Sequence, residues 1–572
     1  MGVSIRRRSK AGRIIKWTLL ILLLAIIILF AIFHKPIIGF FKIRIGESAL
    51  SKGADGLSYS EHTLTKEQRL TDFEYLYKNA VTDSPVREQA EKYLKADYDE
   101  IYKTFKARVG NCKDDYEFCA VMASFMARLP GAHNHLKPPS CDLSASTDYP
   151  LGYELGFGDV RETNYAFWKQ FEDRMFSYTQ KCAVAVNNGG DYVFVDEDYG
   201  FEMIGDIIGG KLLTLNGEPL QTAIKKLDCL HQWGYDEHYD CVRVSNLFFN
   251  DSLGEKYKAE IEMPDGKIIK KDLCCSAEYN LALLYRDSLY PDHNKQTEAA
   301  ATTTAAASSA SAETQNIRRG SSYRVETDAS RKLVYIKSNL CLGEETDQLY
   351  NDITAALDEV DAENIIVDVQ GNKGGDFPYV TEGLCKAIFN EPSGRTIYSA
   401  FPKTELTDLF FNNGTYTFFS TVEEKDGLMR YSDDFNAEGK AKKKYNVYVL
   451  MNASTFSSGD IFTQIAGAMD NVTLLGENTS GEGFTGNPLS YYLPESKFPF
   501  IITVGVSETI PNDNYVGTVP DIYCPRTRDS YLAMTEMIND PNIGRQKAST
   551  LEYRMQWDTV LAEAIKLIDG KK

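Results

Sequence analysis

The sequence predicts an α/β protein carried behind one N-terminal membrane span, and three observations point there. Residues 17–33, WTLLILLLAIIILFAIF, carry no charge, and with Ile14 and Ile15 they approach the roughly 20 residues that cross a bilayer. Residues 65–130 place apolar side chains three and four apart, the spacing of helices packed on a core. From Lys332 onward, short apolar runs alternate with helix-periodic segments. Residues 332–336 read as a strand, Leu349, Ile353, Leu357 and Val360 as one helix face, and residues 365–369 as the next buried strand. A chain of 572 residues, 43% hydrophobic and 12% aromatic, can bury two to four such cores.

The N-terminal segment also fixes a topology. Arg6, Arg7, Arg8, Lys10, Arg13 and Lys16 precede the apolar run, so the positive-inside rule puts the tail 1–13 in the cytoplasm, the span at 14–34, and the body outside the cell membrane. The competing reading is a cleaved signal peptide, but no A-x-A site follows the run. The start MGVSIR lacks the Ser or Thr of a myristoylation signal. The net charge is −19, and beyond residue 16 the chain carries −25, which argues against nucleic acid as a partner. Of 11 cysteines, Cys112 with Cys119 and Cys229 with Cys241 are the nearest candidates for pairing outside the cell. There is no C-x-x-C pair, and nothing calls for a metal or a cofactor.

The body divides by composition. A helical region at 60–150 contains EQRLTDFEYLYKNAV, QAEKYLKADYDEIYKTFKARV and DDYEFCAVMASFMARL, and runs into LPGAHNHLKPP, which holds His133 and His135. Residues 180–278 alternate strand-like runs with one amphipathic segment and close in the hairpin YKAEIEMPDGKIIKKDL. Residues 296–320, rich in Ala, Thr and Ser, hold too few apolar side chains for a core and read as a linker. The rest, 330–572, continues the strand and helix alternation and ends in LEYRMQWDTVLAEAIKLI.

The stretch NVYVLMNASTFSSGDIF, 446–462, turns from a buried strand into a helix at Ser457. A serine there either caps the helix or presents its hydroxyl beside free N–H groups that stabilise a developing negative charge, an arrangement for acyl transfer.

Its continuation, NASTFSSGDIFTQIAGAMDNVTLLGENTSGEG, resembles the nucleophile segment of the tail-specific, or C-terminal processing, serine proteases. The resemblance puts Ser457 on the nucleophile and Asp460 on an acidic position before an apolar helix. A second segment, NIIVDVQGNKGGD at 364–376, resembles the family's strand and Gly-rich loop, with Gly374 and Gly375 in the oxyanion hole beside the Ser458 amide. LPGAHNH resembles the segment that carries the base in the branch related to the tricorn protease core, which selects His133, although His135 stands two residues on. The family's other base is a lysine in the loop after the nucleophile helix. That position here is Glu482, so the resemblance is closer to the His-dependent branch than to the Ser/Lys branch. Residues 209–217 and the helix after them resemble part of a PDZ domain, interrupted by HQWGYDEHYDCVRVSNLFFNDSLG. A PDZ domain binds peptide ends at a sheet edge; a purely structural module is the alternative.

The family implies a crotonase/ClpP-like α/β protease core, and with it a membrane-anchored serine endopeptidase acting on extracytoplasmic polypeptides. Two other functions fit the same scaffold. One is a catalytically inactive peptide-binding relative that serves as a scaffold or receptor. The other is an acyl-CoA enzyme, which the exterior placement disfavours.

Overall fold

The computed structural model describes residues 64–84, 87–129, 133–136, 181–196, 202–227, 233–281, 317–405, 421–483, 489–496, 498–503, 505–509 and 516–570, with Thr18, Leu23, Phe167, Gln170, Phe171 and Thr407 as isolated positions. The expected membrane span apart from Thr18 and Leu23, most of the expected linker, and Cys141 and Cys229 lie outside the described residues. No helix among the described residues is long and apolar enough to cross a membrane.

The N-terminal region is four helices: α1 (Lys66–Tyr77), α2 (Arg87–Leu94), α3 (Tyr98–Asn111) and α4 (Asp115–Met126). Their starts follow from capping chemistry. Thr65 and Gln68 form a reciprocal capping box on α1, and Asp97 and Asp114 accept from the Glu100 and Glu117 amides at the heads of α3 and α4. The segment expected as one helix from residue 89 to 109 is broken between α2 and α3. Lys95 takes a left-handed φ of 51°, and Asp97 starts a new helix two residues on. Cys112 and Cys119 are both free thiols. After α4, β1 (His135–Leu136) pairs with a strand far along the chain, His135 opposite Ile501.

Residues 182–275 form an antiparallel sheet. Its strands are β2 (Cys182–Asn188), β3 (Asp191–Val195), β4 (Lys211–Leu215), β5 (Glu218–Pro219), β8 (Asn246–Asn250), β9 (Glu255–Glu262) and β10 (Ile268–Cys275). Their order is β3-β2-β8-β10-β9-β4-β5. The helix expected after Gly217 is one four-residue turn, Leu220–Ala223. The segment read as an insertion supplies β8, inside the sheet, and a separate hairpin of β6 (Gly234–Asp236) and β7 (Cys241–Arg243). This sheet and the four helices share one apolar core, to which Leu493, Phe498, Phe500 and Ile502 also contribute.

The last region is layered around a second sheet. Its strands are β11 (Arg318–Arg319), β12 (Tyr323–Asp328), β13 (Leu333–Ser338), β14 (Asn364–Asp368), β18 (Asn446–Met451), β19 (Val472–Gly476) and β23 (Ile522–Tyr523), paired in that order. From β13 onward they run parallel. The end of the expected linker is therefore ordered, since Arg318 and Arg319 pair with Val325 and Arg324. Period-two alternation divides the apolar side chains between two covers. Val334, Ile336, Ile365, Val367, Val447 and Val449 face α5 (Thr346–Glu359) and α6 (Ser458–Ala466), while Tyr335, Ile366, Tyr448 and Leu450 face α9 (Leu551–Trp557) and α10 (Thr559–Gly570). Two further C-terminal helices, α7 (Arg528–Asn539) and α8 (Gly544–Ala548), precede that pair.

The alternation expected between residues 389 and 446 is replaced by an antiparallel sheet. Its strands are β15 (Ser393–Pro402), β16 (Thr421–Lys425) and β17 (Leu428–Ala437), with β22 (Val506–Ser507) on the far edge. A three-stranded sheet of β1, β21 (Pro499–Ile502) and β20 (Leu489–Tyr492) ties the N-terminal region to this last one.

Candidate active site

Three adjacent parallel strands, β14, β18 and β19, release their C-terminal loops at one edge of the sheet, and those loops meet. Such an edge is where open α/β sheets collect their functional groups. The loop after β14 holds Gly374 and Gly375, the one after β18 holds Ser457, and the one after β19 holds Glu482.

Ser457 stands at the head of α6 with φ 56° and ψ −124°, outside the regions most residues adopt, and its side chain makes no capping bond. The hydroxyl is therefore not spent on the helix, which removes the capping alternative. Neighbouring bonds impose the turn. Ser457 N–H donates to Gly481 O at 3.2 Å, Phe456 N–H to Asn372 O at 2.9 Å, and Thr455 Oγ1 to Val369 O at 2.8 Å.

His133 arrives from the N-terminal region, held beside Asn134, whose Oδ1 accepts from Thr503 N–H at 2.8 Å. Its Nε2 lies 3.3 Å from Ser457 Oγ, and its Nδ1 lies 2.8 Å from Glu482 Oε2. A carboxylate only accepts, so Nδ1 carries the proton and Nε2 offers its lone pair to the serine. The Phe456 ring packs against the imidazole at 4.6 Å between centroids. The buried Glu482 has φ 59° and follows Gly481 at φ 76°.

The Gly-rich loop approaches so closely that a Cβ on Gly374 would sit 2.6 Å from Ser457 Cβ. Its amide is not available as the resemblance implied, because Gly374 N–H donates to Asn372 Oδ1 at 2.8 Å. With the Gly374 amide taken, the candidate oxyanion donors at this loop are the amides of Gly375 and of Ser458, the first residue of α6. Ser458 Oγ also donates to the Gly375 carbonyl at 2.5 Å. The thiol nearest this loop, Cys341, is buried against Asn372, and burial pushes it up to about 12, so it is no competing nucleophile.

The sequence marks Asp460 by resemblance but not what it holds, and it leaves the charges beneath the Gly-rich loop unmarked. Asp460 is buried and accepts from Thr479 Oγ1 at 2.5 Å, Thr518 Oγ1 at 2.6 Å, Gln464 Nε2 at 2.6 Å and Gly483 N–H at 3.2 Å, which tethers the Glu482 loop to α6. Beneath the Gly-rich loop, Lys337 donates to Gln370 O at 2.6 Å and pairs with Asp368 at 3.2 Å. Burial lowers the Lys337 ammonium to about 8, while Asp368 works against its loss. Arg554 and Asp558 from α9 and its C-terminus extend the pair into a buried charge cluster. The sequence signal was thin: charged residues at strand and helix positions otherwise read as apolar. Among the described residues no group of His, Cys, Asp and Glu could hold a metal ion.

Residues 332–506 match the model of peptidase family S41. Fold and site thus define a serine-type peptidase, and the matched segment, which holds the Gly-rich loop, the Ser457 turn and Glu482, is similar to the S41 or tail-specific peptidases. Among solved structures, the chain is similar to mature CPAF complexed with lactacystin, at 13% identity over 88% of this chain and 99% of that one, with a TM-score of 0.47. It is also similar to the photosystem II D1 C-terminal processing protease, at 11% identity over 80% and 92% with a TM-score of 0.32. The tricorn protease shares 11% identity over 88% of this chain and 37% of its own, with a TM-score of 0.31. No curated protein matches the sequence. At these identities and scores none of the solved structures assigns a residue here.

Proposed function

We propose that this peptidase is a membrane-anchored endopeptidase that cuts extracytoplasmic polypeptides with Ser457 as nucleophile, His133 as base and Glu482 as the acid behind it. The observation that carries the reading is the unbroken run of contacts from Glu482 Oε2 through His133 to Ser457 Oγ. Ser457 Oγ attacks the scissile carbonyl and its proton passes to His133 Nε2. The Gly375 and Ser458 amides receive the oxyanion, and Glu482 stabilises the imidazolium. His133 then returns the proton to the leaving amine, and a water molecule repeats the sequence on the acyl-enzyme. The 3.3 Å contact suits a resting enzyme, in which such bonds are longer than in the substrate complex.

Two features favour the His-dependent branch over the Ser/Lys branch. The position of the family lysine is Glu482, and Lys337, a buried lysine with a depressed pKa, is committed to Asp368 and the Gln370 carbonyl. The 14–34 segment and the basic tail support a single-pass anchor with the body outside the cell membrane.

A fluorophosphonate probe tests the chemistry. Rapid labelling that peptide mapping places on Ser457 is expected; a chain that stays unlabelled is the inactive peptide-binding relative. Deletion of residues 1–34 should release the protein from membranes, and retention would overturn the anchor.

A further inference from the structure

We infer that Arg243, from the hairpin in the inserted segment, is a positioning residue for Glu482. The inference rests on the Ser457–His133–Glu482 reading above. The loop from Glu477 to Gly483 has to hold two consecutive left-handed residues, Gly481 and Glu482, and the second carries a side chain. A non-glycine residue in that region is strained and persists only where its surroundings impose it.

Most of the imposing bonds come from the protease core. Thr479 N–H donates to Thr518 O at 3.1 Å, Thr479 Oγ1 to Asp460 at 2.5 Å, and Ser480 N–H to Thr455 O at 2.8 Å. The Thr479 carbonyl is held from outside it, by the buried guanidinium of Arg243. The same neighbourhood gives a second contact, Gly189 N–H at the β2–β3 turn to Glu477 Oε1 at 3.2 Å. The hairpin is itself braced: β6 and β7 pair Gly234 with Arg243, and the buried Asp236 accepts from the His238 and Tyr239 amides at 2.9 and 3.2 Å. Arg243 also faces the buried Glu477, whose carboxyl burial pushes above its usual range while the guanidinium works the other way. A buried arginine therefore fixes a backbone carbonyl three residues before the carboxylate that orients His133. Loss of that hold lets the loop relax, and a displacement of about 1 Å at a reacting group can cost on the order of 10²-fold in rate.

The test is a set of double-mutant cycles on the full chain, with kcat and KM measured on one peptide substrate. Arg243→Met keeps the volume and removes the donors. It should lower kcat by about 30- to 100-fold with KM little changed, and Arg243→Lys, which keeps one donor, should lower it by only about 5-fold. In a Glu482→Gln background both changes should cost no more than about 2-fold, because the group they position is already compromised. If either retains its full cost there, or raises KM instead of lowering kcat, Arg243 does not act through Glu482 and the inference fails alone. If Glu482→Gln by itself leaves kcat unchanged, the triad reading fails and takes this inference with it. Should the Met variant not fold, the Lys cycle decides by the same criterion.

Discussion

One oxygen of Glu482 meets His133 twice: Oε2 accepts the backbone N–H at 2.7 Å and Nδ1–H at 2.8 Å. The carboxylate thus fixes both where the histidine backbone sits and which ring nitrogen keeps its proton. Glu482→Gln should lower kcat by about 10- to 100-fold, less than loss of the imidazole itself. An unchanged kcat in Glu482→Gln would mean that the carboxylate does not act on the base.

Ser457→Ala should abolish turnover and leave the fold intact, since one oxygen leaves a turn held by backbone bonds and Thr455. Ser458→Ala should be milder but not silent. Its amide stays, yet the bond from Oγ to the Gly375 carbonyl is lost and the second oxyanion donor loosens. A fall in kcat of about 10-fold with KM unchanged is expected, less than the roughly 10²-fold or more that outright removal of an oxyanion donor costs, because the amide itself stays. Comparable losses in both variants would show that the nucleophile is misassigned.

The charge cluster under the Gly-rich loop predicts a pH-dependent stability. Asp558 is fully buried, and although burial alone would raise its carboxyl, Arg526 and Arg554 hold it well below the usual carboxylate range. A carboxyl with a depressed native pKa contributes in full above its unfolded value of about 3.9 and loses that contribution as pH falls further. Asp558→Asn should therefore cost about 3–5 kcal/mol at pH 7, the penalty of leaving buried guanidinium groups unpaired. The gap from wild type should narrow below about pH 4. Thermal midpoints at pH 7 and pH 3.5 measure both, and a gap of constant size would contradict the assignment.

The parts of the site that are legible in sequence are those where local geometry forces a residue type. Ser457 lies where a buried strand must turn into a helix, and positive φ together with a close neighbour, Ser457 for Gly374 and the Cys341 carbonyl for Gly375, excludes a Cβ from the Gly-rich loop. The β13–α5–β14 unit was equally readable, because its apolar alternation persists over every strand. What was not legible depends on distant pairing. Arg243 meets the Thr479 carbonyl across 236 positions, and no local pattern marks a backbone carbonyl as its target. The antiparallel sheet of β15, β16 and β17 was missed because its strands mix polar and apolar residues without a sustained alternation. The break at Lys95 was missed because one left-handed residue leaves the helical periodicity on either side intact.

The most direct test compares turnover of one peptide substrate by His133→Ala and His135→Ala. His133 reaches Ser457 Oγ through Nε2, whereas His135 lies in β1 opposite Ile501. The account predicts a loss on the order of 10³-fold or more for His133→Ala, and little change for His135→Ala. Near-normal turnover by His133→Ala would contradict it.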